Sequence, residues 1–371
     1  MAESPGYLED LDTPALVIDR EILEQNLGDM QRLAEVAGVQ LRPHIKTHKS
    51  SFLARKQAAL GACGVAVAKL SEAAVMLDAG ITDIQISNEV VGAKKIGRLV
   101  ELSQKATVSC AIDSLENAAE LSNAFEQAGR KLAVLIEVDT GLHRCGLEGT
   151  DEIGRLYAQA SAMSGLNVKG IMTHAGHAYA AKSEAEVREI GLAEGERMVE
   201  LAEHLRSSGM RVEFVSVGST PTARFSAGIK GVTELRVGNY IFNDMIQVAL
   251  GTVPVERCAL TVLATVISVH SNGRVVIDAG SKALTTETGA HGNTLVRGFG
   301  CILTEPQAVV TRLSEEHGIL ENSGRLFKIG EKIRIVPNHA CAVVNLFDSA
   351  ALVDPHGLEE ILVLDARGCS Q

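Results

Sequence analysis

The sequence predicts an α/β chain: a (β/α)8 barrel of the TIM type followed by a C-terminal β-rich domain. Three observations carry this. The chain has 371 residues, enough for a barrel of about 250 residues and a further module of about 100. Eight short runs rich in β-branched residues alternate with alanine-rich amphipathic segments, the rhythm of βαβ units around a parallel sheet. After about Gly251 the alternation stops, and strand-like runs succeed one another without long helices.

In chain order the eight runs are 39–42, 63–67, 83–87, 107–112, 132–138, 168–173, 212–217 and 233–237. Helical periodicity fills the gaps at 21–37, 71–79, 114–128 and 184–207; the last sets Leu192, Met198, Leu201 and Leu205 on one face and charges on the other. The segment 222–230 has room for barely two helical turns. Beyond it, strands are expected at 259–270, 274–278, 307–313, 332–336 and 360–364, with Asn272-Gly273 as a hairpin turn. The barrel is thus placed at 20–250 and the β domain at 251–371, with 1–19 packing on the latter.

Composition narrows the function. Hydrophobic residues make up 46% and charged residues 22%, which supplies a large core and excludes general disorder. The net charge of −11 argues against a nucleic-acid or anionic-membrane surface. No apolar run approaches the roughly 20 residues that cross a bilayer. The acidic opening MAESPGYLEDLDTP has no hydrophobic segment of the secretory kind. Seven scattered cysteines, an odd number, do not form a disulfide framework. A cytoplasmic protein that handles a small molecule is expected.

In such barrels chemistry sits on the loops that follow the strands. Here those loops read RPHIKTHKS after the first strand, DTGLHRCG after the fifth and THAGHAY after the sixth, then VGSTPT and VGNY after the seventh and eighth. Glycine beside hydroxyl and amide side chains after strands 7 and 8 is what a barrel phosphate site requires. Gly218, Ser219, Thr220, Gly238, Asn239 and Tyr240 are therefore its candidates. A lone lysine after a strand is ordinarily a solvated charge. Lys46, however, is flanked by Arg42, His44, His48 and Lys49, cations that would depress its pKa and make it nucleophilic. A nucleophilic lysine and a phosphate site on one rim point to pyridoxal phosphate. His174 and His177 are equally readable as structural or catalytic, and Arg144 as a salt-bridge or ligand residue. In the second domain His339 and Cys341, two residues apart on what reads as an extended segment, would present nitrogen and sulfur ligands to one face.

Taken in order, LDTPALVID, RPHIKTHKS, DTGLHRCG, THAGHAY, VGSTPT, LRVGNYIFND, SEEHG and PNHACAVVNLFD span nearly the whole chain. Together they resemble the D-threonine aldolase and D-serine dehydratase family, metal-dependent pyridoxal-phosphate enzymes with the alanine-racemase type of fold. The resemblance implies that Lys46 carries the cofactor covalently and that Arg144 approaches its pyridine nitrogen. It also implies that the six loop residues hold the phosphate, that Tyr179 lies beside the cofactor, and that His339 and Cys341 ligate a divalent metal, zinc or manganese. A homodimer acting on D-amino acids with a 3-hydroxyl group is implied as well. Within the family the chain divides its allegiance. Cys341 matches the dehydratases, whose pattern is His-x-Cys, while VVNLFD resembles the aldolases.

Three readings stand at this stage. The first is a lyase, with retro-aldol cleavage favoured over dehydration and His174 or His177 taking the β-hydroxyl proton. The second is an amino-acid racemase, and the third a non-catalytic pyridoxal-phosphate carrier. The His339/Cys341 pair and the long second domain argue against a carrier.

Overall fold

The computed structural model describes residue 8, residues 10–320 and residues 325–371. Strand β1 (Ala15–Asp19) belongs to a second sheet and precedes the eight parallel strands of the first. These are β2 (Gln40–Leu41), β3 (Val65–Val67), β4 (Asp83–Glu89), β5 (Thr107–Ile112), β6 (Leu132–Glu137), β7 (Leu166–Met172), β8 (Phe214–Val217) and β9 (Glu234–Leu235). From β3 to β9 each strand pairs with the next, and β9 returns to β2. A parallel bridge between His44 and Ala66 closes the seam between β2 and β3, with Ala66 N donating to Pro43 O at 2.8 Å. The barrel is complete, as the rhythm of the sequence predicts.

Its first and last strands are shorter than their apolar runs. The regular ladder between them ends at Leu41 and Leu235. Alternate groups still pair beyond it, Arg42 N with Leu235 O at 2.9 Å and His44 N with Val237 O at 2.8 Å. Helices cover the outside. Asp19 caps the helix Arg20–Ala37 by accepting from Ile22 N at 3.1 Å, and Gly38 ends it at φ 70, in the left-handed region open to glycine. The long helix Glu184–Ser207 starts at a Ser183 cap. Between β8 and β9 the helix shrinks to Ala223–Ser226.

Close strand contact imposes glycine at one point. A Cβ on Gly170 would lie 2.0 Å from Phe214 O on the neighbouring strand. Gly170→Ala is therefore expected to cost about 1–3 kcal/mol by overpacking. This should appear as a lower urea midpoint with an unchanged slope; an unchanged midpoint would show that the strands part freely.

The second sheet contains β10 (Leu260–Val269), β11 (Val275–Ile277), β12 (Cys301–Ile302), β13 (Glu305–Leu313), β14 (Gly318–Leu320), β15 (Lys332–Val336), β16 (Ser349–Asp354) and β17 (Gly357–Val363). Its order is β11-β14-β13-β12-β15-β10-β1-β16-β17, and β11 also pairs with β10. The strands from β10 round to β15 thus close on themselves, and the rest extend from β10. The Asn272-Gly273 turn is present, with His270 N donating to Arg274 O at 2.9 Å and Gly273 at φ 83. Strand β1 pairs antiparallel with β10 and parallel with β16. Of the segment 1–19, residues 1–7 and 9 lie outside the described residues.

One local expectation is corrected. His339-Ala340-Cys341 is not an extended strand: His339 alone is extended (φ −136, ψ 106) and serves as N-cap of the helix Ala340–Val344. Buried Asp244 imposes this turn, because its carboxylate accepts from Ala340 N at 2.9 Å. Among the described residues no helix is long and apolar enough to cross a membrane.

Candidate active site

The loops after the barrel strands meet the second domain at a cleft of about 840 Å³, counting its mouth. Lys46, Arg144, His174, Tyr179, Ser219, Thr220, Gly238, Asn239, His339 and Cys341 all line it. His177, Gly218 and Tyr240 do not. The short 3-10 helix Gly176–Ala180 sets Tyr179 against the cleft, whereas the His177 ring lies beside Gly141 with Nδ1 buried and without a partner among the described residues. The Tyr240 hydroxyl lies in the interior, where it accepts from Gln57 Nε2 at 2.9 Å.

Lys46 sits in the single turn Ile45–Thr47, and its backbone N donates to His44 Nδ1 at 3.3 Å. Burial depresses the pKa of its amine, and Arg144 and Arg236 depress it further, against the pull of Cys341 and Glu72. The cations that matter are thus not the ones adjacent in sequence. Arg42 is engaged by Glu234 at 2.7 Å and Asp83 at 2.5 Å, Lys49 by Glu72 at 2.5 Å, and the His48 ring contacts Gln57 at 3.1 Å. A strand end turns these side chains into the barrel wall, where each finds a counter-charge or an amide.

The glycine-hydroxyl loops are laced together. Gly218 N donates to Glu194 Oε1 at 2.9 Å and Ser219 N to Thr222 Oγ1 at 3.2 Å, so neither N–H is free for a ligand. Thr220 Oγ1 accepts from Tyr240 N at 3.1 Å, which joins the loops after β8 and β9. A Cβ on Gly238 would lie 2.7 Å from Thr47 Oγ1, so only glycine lets this loop pass the lysine turn. Ser219, Thr220, Gly238 and Asn239 are what these loops bring to the cleft. The Tyr179 phenol, raised well above its usual pKa by burial, stays protonated and able to donate.

Two arginines face the cleft. Arg144 is 46% exposed at its side chain and lies 3.6 Å from Glu137. Burial first, then Glu89 beside it, raise the Glu137 carboxyl to about 7. Arg236, which the strand pattern gave no reason to single out, is buried beneath the cleft and donates to Thr173 O at 2.5 Å and to Ser216 Oγ. Ser216 in turn donates to Glu234 at 2.6 Å, completing a buried chain that ends at Arg42.

The second domain brings His339 and Cys341. The His339 Nδ1–H donates to Glu287 Oε1 at 2.9 Å, which fixes the ring. Cys341 Sγ lies 3.1 Å from Thr47 Oγ1 and 3.9 Å from Asn239 Nδ2. Burial pushes the Cys341 thiol up, but neighbouring His339, Thr47 and Lys46 outweigh it and hold it below a free thiol. His339 is correspondingly raised despite its burial, by Cys341, Glu287 and Asp244. The pair therefore favours a thiolate beside an imidazolium, which would give up its second ring proton to bind a metal. That donor set, with a carboxylate behind the histidine, suits zinc-type metals. Sequence reasoning missed Glu287, Arg236 and His291, a third cleft group from the second domain. A histidine between glycines in GAHG was the available signal.

Comparison with known proteins agrees with this architecture. Residues 18–245 match the family model described as alanine racemase, N-terminal domain, and residues 259–353 the one described as "putative serine dehydratase domain". The chain is 36% identical to a D-threonine aldolase of Arthrobacter sp., over 100% of this chain and 96% of the relative. It is 35% identical to a D-threo-3-hydroxyaspartate dehydratase of Delftia sp., over 90% of this chain and 91% of the relative. The crystal structure of a D-threonine aldolase from Filomicrobium marinum superposes with a TM-score of 0.91 at 34% identity, covering 100% of both chains. Among solved structures of D-threo-3-hydroxyaspartate dehydratase are alanine variants of a histidine and of a cysteine two positions later. The cysteine variant is in the metal-free form (TM-score 0.88, 33% identity, 97% of this chain and 99% of that one).

Proposed function

This chain belongs to the D-threonine aldolase and D-serine dehydratase family and is a lyase, and from that membership we propose that it cleaves D-3-hydroxy-amino acids by a retro-aldol reaction, using pyridoxal phosphate and a divalent metal. The observation that carries the reading is convergence. A depressed-pKa amine, a set of hydroxyl and amide donors, and an imidazole–thiolate pair share one cleft. The aldol direction is supported by the likeness to the Arthrobacter aldolase over the whole chain.

Both groups fit the residues present. Ser219, Thr220 and Asn239 would hold the phosphate, and Lys46 would hold the cofactor covalently. His339 and Cys341 would hold the metal, with positions left for water or substrate. Bound pyridoxal phosphate supplies an electron sink for bonds at the substrate Cα, and the metal a positive charge at its hydroxyl-bearing end. The protein does the rest. Arg144 and Arg236 offer guanidinium groups that accept no proton from a ring nitrogen. Lys46, with its amine depressed by burial and by those arginines, would accept and return a proton. Tyr179 donates from a fixed position. His174, held through Nδ1 near Gly218 O at 3.3 Å and kept neutral by burial and Lys46, is the barrel imidazole placed to take a proton.

A second reading, dehydration, is favoured by the His-x-Cys spacing, which the hydroxyaspartate dehydratase variants share. A product assay on D-threonine with added cofactor and zinc or manganese separates the two. Glycine and acetaldehyde are expected; 2-oxobutanoate and ammonia would replace the aldolase reading with the dehydratase one.

A further inference from the structure

His291 stands out among the cleft residues for its backbone. It adopts φ 51, ψ 33, a left-handed conformation that L-residues with a Cβ rarely take, between Gly289 and Gly292. Such strain persists only where the surroundings over-determine it, and it gathers at functional sites. The surroundings here do so. On one side Ala290 is buried with Tyr179, Val187 and Ile246; on the other Asn293 Nδ2 donates to Tyr179 O at 2.8 Å. The segment is thereby clamped to the barrel, and the His291 ring lies 5.8 Å from the Tyr179 ring at a 57° tilt.

The other cleft imidazoles are tethered. His44 Nδ1 receives Lys46 N, His174 Nδ1 lies near Gly218 O, and His339 Nδ1 is held by Glu287. His291 lines the same cleft as Lys46 and the His339/Cys341 pair, with no hydrogen bond recorded to it among the described residues. Burial, Lys46 and Arg144 lower its pKa, and a neutral imidazole can both donate and accept. A strained, clamped and uncommitted imidazole beside the metal pair is a group held ready for a ligand.

We propose that His291 is the specificity residue for the 3-hydroxyl group: its imidazole hydrogen-bonds that hydroxyl and distinguishes hydroxylated substrates from those that lack it. This rests on the lyase reading above and names the residue that gives it substrate selectivity.

The test uses the holoenzyme with pyridoxal phosphate and zinc, as wild type, His291→Gly and His291→Asn. Glycine accepts the left-handed backbone without cost, and asparagine tolerates it while keeping a donor and an acceptor. D-alanine, which has no hydroxyl, is titrated against the visible spectrum of the cofactor. 3-Hydroxybutanoate and butanoate then compete for the site, so no turnover is needed. Wild type should prefer 3-hydroxybutanoate by about tenfold, the worth of one hydrogen bond in a partly buried site. His291→Gly should cut that preference severalfold, what is left being the metal's, and His291→Asn should keep more of it, while D-alanine affinity stays within about twofold. No preference in wild type, or an undiminished one in His291→Gly, overturns the proposal. So does an equal weakening of D-alanine, which would mark a merely structural role. Failure of the same wild-type preparation to cleave or dehydrate D-threonine would sink the lyase reading separately, leaving the competition result to stand or fall alone.

Discussion

Replacing Lys46 with alanine is expected to give a folded protein that retains no visible cofactor absorbance after dialysis and loses about 10³-fold or more of its activity, the scale seen when a covalent catalyst is removed. The thermal midpoint should not fall. Burial and the two arginines Arg144 and Arg236 already disfavour the charged amine in the folded state, so its removal relieves more than it breaks. Lys46→Arg is the informative companion, because it keeps a cation but cannot form the covalent link. It should be as colourless as the alanine variant. If Lys46→Ala kept the spectrum of bound cofactor, the lysine would leave the mechanism, whatever its effect on rate.

Much of the scaffold around that lysine is legible in the sequence, because it follows from repeated local patterns. The alternation of β-branched runs with amphipathic segments locates every barrel strand, and the Asn272-Gly273 pair locates the hairpin. The strands that escape are of two kinds. β12 and β14 have two and three residues, too few to show a period. β16, whose sequence is SAALVD, has alanines that read equally as helix. The site itself is less legible, for a physical reason. Spacing places a residue on a loop but does not say which way the loop turns. His174 and His177 look alike in THAGHAY, yet only His174, just before the short helix Gly176–Ala180, lines the cleft, and from within that helix Tyr179 does so rather than His177. Arg236 reads as a polar residue in a strand, and its burial makes sense only once Glu234, Ser216 and Thr173 are seen around it. Likewise the cations acting on Lys46, Arg144 and Arg236, come from loops that follow strands far along the chain rather than from its neighbours. The helical turn at His339 is imposed by Asp244, 96 residues before Ala340. Long-range partners decide these cases, and a sequence pattern records only the near ones.

Cys341 offers the second large effect and divides the two candidate reactions. Cys341→Ala should retain the cofactor spectrum, since the phosphate and lysine side of the cleft belongs to the barrel. It should lose bound metal on dialysis, because His339 alone is a weak site, and with it roughly 10²-fold or more of kcat, the several kcal/mol a Lewis acid supplies. Cys341→Asp is sharper, since it exchanges a soft ligand for a hard one without emptying the position. The place can accept a carboxylate: it lies in the first turn of the helix Ala340–Val344, 3.1 Å from a Thr47 hydroxyl that can donate. Selectivity should then move from zinc towards manganese or magnesium, which prefer oxygen. A retro-aldol reaction needs only stabilisation of negative charge on the substrate oxygen, which an oxygen-ligated metal still provides, so activity should partly survive. Dehydration must expel that oxygen and leans harder on a strongly Lewis-acidic metal, so activity should fall much further. Metal analysis and initial rates on one set of preparations decide the matter. Wild-type protein that holds no metal and keeps full activity in chelator would end the metal-dependent mechanism for both reactions.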